Sequence, residues 1–112
     1  MNQRIEKPWG FEIIWALTDN YAAKLLHINA GCQLSKQYHQ VKEESLYVLK
    51  GTLYNYDADD KITRINPGES FHVSPHQIHR FGAPMGTVEV IEVSTPHLDD
   101  VVRLADDYGR QS

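Results

Sequence analysis

A chain of 112 residues with 41% hydrophobic residues has room for one compact core and little for a second. A formal charge of -4, with lysines and arginines dispersed rather than clustered, argues against a polyanion-binding surface and excludes nucleic acid as an expected partner. No apolar run approaches the ~20 residues of a membrane helix and Met1 leads into polar residues, so a soluble, cytoplasmic protein is expected.

Residues 1–7 are polar and are expected to fray. Pro8, Trp9 and Gly10 open the first ordered segment, 11–16 reads as strand, and Asp19-Asn20 turns the chain into an apolar, β-compatible run at 21–28. Lys24 shares its parity with Leu26 and Ile28 and so points toward the core. Cys32 stands alone, which allows no internal disulfide, and reads as a small strand or turn residue rather than a nucleophile. Between the turn glycines Gly31 and Gly51 lie Gln37 and His39, two apart and hence on one face of an extended strand, and then Glu44 at the head of the apolar strand 44–50.

Tyr47 and Leu49 have the opposite parity to Glu44, Leu46 and Val48, so both faces of that strand are apolar and the outer one calls for a cover, which fits a homodimer. Strands follow at 52–56 and 61–65 around a turn at 57–60, and at 70–73 after Asn66-Pro67-Gly68. His72 opposes Phe71 and Val73 in parity and points outward. Pro75 and His76 mark a turn, and 77–81 is a short strand that carries His79 inward. The last full strand is 88–94. Beyond Pro96, Val101, Val102 and Leu104 recur at helical spacing with Thr95 or Asp99 as a cap, which predicts a short C-terminal helix on the outside. Short strands so regularly spaced indicate a single all-β domain over 1–112, a barrel or sandwich.

Gln37, His39, Glu44 and His79 form the candidate metal set. Two imidazoles with a carboxylate and an amide oxygen suit a divalent transition metal such as Zn, Mn, Fe, Co or Ni, and such a set leaves coordination positions open to water or a substrate oxygen.

These residues resemble the cupins, small jelly-roll barrels (double-stranded β-helices) whose first motif reads G-x5-H-x-H-x3-4-E-x6-G and whose second carries a single His. Gly31, His39, Glu44 and Gly51 fall on the first motif and His79 on the second, while Gln37 replaces the first motif histidine. With P-W-G at Pro8 to Gly10, L-S-K-Q-Y-H ending at His39 and D-D-V-V-R-L-A-D-D-Y-G-R ending at Arg110, the chain is similar to the C-terminal cupin domain of type II mannose-6-phosphate isomerases, here in stand-alone form. Ser45-Leu46 replaces the His-Trp that follows the ligand Glu in that family, and Lys42 replaces an Arg. A counterpart of the nucleotidyltransferase domain of two-domain members is not expected, and neither is GDP-mannose synthesis.

The resemblance implies a metal-dependent aldose-ketose isomerase converting mannose 6-phosphate and fructose 6-phosphate, the metal stabilising the enediolate formed as a base moves a proton between two carbons. Glu43, Lys36 and His76 are the candidates for that base, with Glu44 committed to the metal. Lys24, Lys36, Lys42 and Arg80 are placed to bind a phosphate, and Tyr38 and Tyr47 to donate hydrogen bonds to sugar hydroxyls. The alternatives are a cupin oxygenase or other enzyme on a non-sugar substrate, and a non-catalytic sugar-binding module.

Overall fold

The computed structural model describes residues 2–110, and among them every regular element is a β-strand. The strands are β1 (Gln3–Lys7), β2 (Gly10–Leu17), β3 (Ala22–Ile28), β4 (Lys36–Tyr38), β5 (Glu44–Lys50), β6 (Leu53–Tyr56), β7 (Ile62–Ile65), β8 (Ser70–Val73), β9 (Arg80–Gly82), β10 (Val88–Ser94) and β11 (Val102–Ala105). Six of them form one antiparallel sheet in the order β1-β2-β3-β10-β5-β8. The second layer consists of β7-β6-β9 and β11-β4, joined by isolated bridges Gln33↔Gly82 and Gln37↔His79. Among the described residues no helix is long and apolar enough to cross a membrane.

Strand alternation decides what lies between the layers. Leu26 and Ile28 of β3, Leu46 and Val48 of β5, and Val88 and Val90 of β10 share one buried cluster with Leu53 of β6, Ile65 of β7 and Phe81 of β9. Each such side chain contributes about 1.5–3 kcal/mol by leaving water. Trp9 joins the same cluster, and its carbonyl accepts a hydrogen bond from Asn29 N at 2.9 Å. The next residue, Gly10, lies at φ +152°, and a Cβ there would collide with the His27 carbonyl. The Pro-Trp-Gly segment therefore needs its glycine to press the β1–β2 hairpin against β3.

Two expectations at the chain ends are corrected. Within 1–7, residues 3–7 form β1 instead of fraying, because the far edge of β2 offers unpaired backbone groups and Gln3↔Ile14 through Lys7↔Gly10 satisfy them; Met1 lies outside the described residues. The expected C-terminal helix is absent: residues 102–105 are β11, paired with β4 through Val102↔Tyr38 and Arg103↔Gln37. An isolated helix of that length is marginal in water, whereas the edge of β4 supplies partners at once.

Candidate metal centre and its cavity

The inner rows of four neighbouring strands change from apolar to charged at one end of the barrel. Beyond the apolar core, β2, β3, β5 and β10 present Glu12, Lys24, Glu44 and Glu92 inward, all at most 8% exposed. They line a cavity of about 210 Å³, together with Gln37, His39 and Lys42. The cavity is charged, yet its charges are paired: Lys24 Nζ lies 3.2 Å from Glu12 Oε2, and Lys42 Nζ lies 2.9 Å from Glu44 Oε2 and 3.2 Å from Glu92 Oε2.

His39 and His79 meet at this end from two segments that the backbone ties together. Gln37 N donates to the His79 carbonyl at 3.0 Å and His79 N to the Gln37 carbonyl at 2.9 Å. The rings lie 5.1 Å apart between centroids. His39 Nδ1 donates to the Asp100 carbonyl at 2.5 Å, and His79 Nδ1 donates to the Gln77 carbonyl at 3.0 Å. Both donations fix the tautomer that leaves Nε2 with a lone pair.

Neither Nε2 has a hydrogen-bond partner among the described residues, although both are buried. They lie 3.9 Å and 3.6 Å from the two oxygens of Glu44, and the three ligand atoms fall within 4.8 Å of one another. Buried acceptors without partners are costly, and two imidazoles oriented by carbonyls toward one carboxylate fit a divalent transition metal. Burial pushes the His79 imidazole down to about 4, so near neutral pH it carries no proton at the atom a metal would take. Gln37 lines the cavity beside them, with Oε1 accepting from Ser35 Oγ at 2.5 Å.

The remaining sequence candidates separate into two groups. Lys24 and Lys42 line the cavity. Burial alone would lower the Lys42 ammonium, but Glu92 and Glu44 override it and hold the group above its ordinary range. Lys36, Tyr38, Glu43, Tyr47, His76 and Arg80 do not line it. Lys36 Nζ reaches the Ala58 carbonyl at 3.0 Å and Asp60 at 3.1 Å, and Arg80 binds the Leu34 carbonyl at 2.8 Å and Asp107 at 3.1 Å. Glu43 Oε2 lies 2.9 Å from His72 Nε2 on the outer side of the sheet, and Tyr47 is exposed there. His76 occupies its turn at φ 67°, its ring 6.3 Å from that of Tyr38.

Three residues of this region were not singled out from the sequence: Glu12 and Glu92, which line the cavity, and Asp100, which does not. Glu92 shares its parity with Val88 and Val90, which is the signal that it points inward. Burial, and then Glu44, push its carboxyl up, with Lys42 and Lys24 opposing. Asp100 holds the ligand turn from outside the cavity. Its carboxylate accepts from the backbone N–H groups of Gln40, Val41 and Lys42 at 3.0, 2.7 and 2.8 Å, while its carbonyl orients His39.

Two antiparallel layers around an apolar core, with two histidines and a glutamate at one end of the barrel, define a cupin, and solved structures agree. KdgF from Halomonas sp. superimposes with a TM-score of 0.75 over 88% of this chain and 90% of that one, at 22% identity. The family model for the mannose-6-phosphate isomerase C-terminal domain matches residues 1–106, and the chain belongs to that family. Among curated proteins it is 30% identical over 111 residues to the alginate biosynthesis protein AlgA of Pseudomonas aeruginosa, covering 95% of this chain and 23% of AlgA. It is 31% identical over 114 residues to the mannose-1-phosphate guanylyltransferase of Escherichia coli, covering 98% of this chain and 24% of the relative. The chain thus spans about a quarter of the length of these relatives.

Proposed function

We propose that this cupin is a metal-dependent aldose-ketose isomerase that interconverts mannose 6-phosphate and fructose 6-phosphate in the cytoplasm. The observation that carries the reading is the pair of buried, unpartnered Nε2 atoms of His39 and His79 beside Glu44, at a polar cavity, in a chain of this family. Gln37 adds an amide oxygen to the donor set. A divalent transition metal held by these four residues supplies Lewis acidity for the negative charge that develops on the sugar oxygens.

The chain's own groups do the rest. The Asp100 and Gln77 carbonyls hold the two imidazoles in place. Lys24 and Lys42 keep the carboxylates of Glu12, Glu44 and Glu92 ion-paired at the wall of the cavity, so that a substrate meets balanced charges rather than three bare carboxylates. Glu92 is the carboxyl this geometry favours as proton carrier: as a carboxylate it takes the proton from C2 of the aldose and returns it to C1, while the C2 hydroxyl gives up its proton and O1 gains one. It lines the cavity, lies outside the donor set, and burial beside Glu44 pushes its pKa up, which makes it the stronger base. We further propose that the outer face around Tyr47 and Leu49 pairs with a second copy of the chain.

Proton transfer at C2 can be followed without knowing the product. In heavy water the metal-loaded protein should wash deuterium into mannose 6-phosphate, seen by NMR, and Glu44→Gln should lose at least 100-fold of that rate. Absence of both exchange and ketose formation with every common hexose phosphate would sink the isomerase reading and favour a non-catalytic module.

A further inference from the structure

Lys42 stands out among the buried groups because it engages the same carboxylate that the two histidines face. Its side chain is 7% exposed, and its backbone N–H is anchored to Asp100 at 2.8 Å. From that fixed root the ammonium reaches Glu44 Oε2 at 2.9 Å and Glu92 Oε2 at 3.2 Å. Glu44 and Glu92 belong to neighbouring strands and are 3% and 5% exposed, so Lys42 balances two desolvated carboxylates at once. The oxygen of Glu44 that it holds is also the one nearer His39 Nε2, at 3.9 Å.

A cation placed between His39, Glu44 and His79 and the Lys42 ammonium therefore draw on one carboxylate in a desolvated setting, where like charges repel strongly. We propose that Lys42 is an internal counter-cation that competes with the divalent metal for Glu44 and so sets metal affinity, with Glu92 as the second carboxylate that receives the ammonium when the metal takes Glu44. This rests on the reading of His39, Glu44 and His79 as metal ligands. A flexible four-carbon stem with a point charge suits the movement, since the ammonium can give up one of its two contacts without leaving the other.

The competition predicts opposite signs for two charge-removing substitutions, which a general loosening of the site does not. Lys42→Met keeps the length of the stem and removes the charge, so it should bind Zn²⁺ at least tenfold more tightly than the wild type. Glu92→Gln removes the alternative carboxylate, so the ammonium is held more firmly by Glu44 and Zn²⁺ should bind several-fold more weakly. The measurement is competition of the metal-free full chain with a chromophoric chelator at fixed pH and salt, with circular dichroism confirming the fold of each variant.

Because Lys42→Met leaves two buried carboxylates without a cation, the double variant Lys42→Met/Glu92→Gln, which restores the charge balance, provides the same test and should also bind more tightly than wild type. Unchanged or weaker binding in the folded Lys42 variants overturns the competition while leaving the metal centre standing. If the wild type binds no stoichiometric Zn²⁺, or His39→Ala and His79→Ala retain it in full, the metal centre falls and this proposal with it.

Discussion

His76 and Asp100 occupy positions where one residue's backbone or charge fixes the ligands. His76 sits in the left-handed region at φ 67°, and its N–H donates to the His39 carbonyl at 2.7 Å. The turn is needed to hold His39, but the side chain that makes it is a poor choice: a residue with a Cβ costs about 1–2 kcal/mol in that region, and glycine's larger entropy in the unfolded chain offsets part of this. His76→Gly should therefore raise stability by about 0.5–1 kcal/mol and leave metal affinity unchanged. Thermal unfolding by circular dichroism checks it, and a lower Tm would show that the ring's contact with Tyr38 outweighs the backbone strain.

At the scale of elements, the ligand strand β4 is held by the C-terminal segment, and Asp100 is the joint. Three backbone N–H groups hold its carboxyl down to about 2, from an ordinary value of 3.8, those of Lys42 and Val41 most strongly. A depressed carboxyl stabilises the fold at pH values above 3.8 and loses that contribution as pH falls from there to about 2, because the unfolded chain takes up the proton first. Asp100→Asn should lower stability near neutral pH by about 1–2 kcal/mol, after discounting for solvent screening, and flatten the pH dependence between about 4 and 2. Urea unfolding across that range reads it; an unaltered acid limb would show that Asp100 does not govern the joint.

Elements whose own residues decide their conformation were legible in the sequence: the strands 44–50, 70–73 and 88–94 carry alternating or β-branched residues and appear with those bounds. β1 and β11 were not, since each owes its form to an edge strand elsewhere in the chain. That His39, Glu44 and His79 converge was legible because motif spacing carries them. The charged wall was less so: polar residues on a strand ordinarily face water, and Glu12 and Glu92 face inward only because this end of the barrel holds paired lysines.

For the whole molecule, the outer face of the large sheet sets the remaining expectation. Register aligns Ile13 with Leu25, Leu25 with Ile91, and Ile91 with Tyr47, an apolar row across four strands. Beside it Val93 and Leu49 are 46% and 49% exposed and Trp15, at the bulge in β2, is 44% exposed. A stable dimer buries roughly 800 Å² per partner, and the apolar face lies on a molecule whose entire surface is 6098 Å². Within these four residues no side chain is charged, while Arg4 continues the row on β1 and the His27–Glu89 pair flanks it, so a two-fold copy would meet an apolar centre with a charged rim. The chain should run as a dimer by light scattering at tens of micromolar, and Tyr47→Lys combined with Leu49→Lys should return it to monomer with the fold and the metal affinity intact. These positions lie on the opposite face of β5 from Glu44, so loss of metal binding in that variant would mean that dimerisation reaches through the strand into the cavity. A wild-type monomer at those concentrations would leave the apolar row without the partner proposed for it.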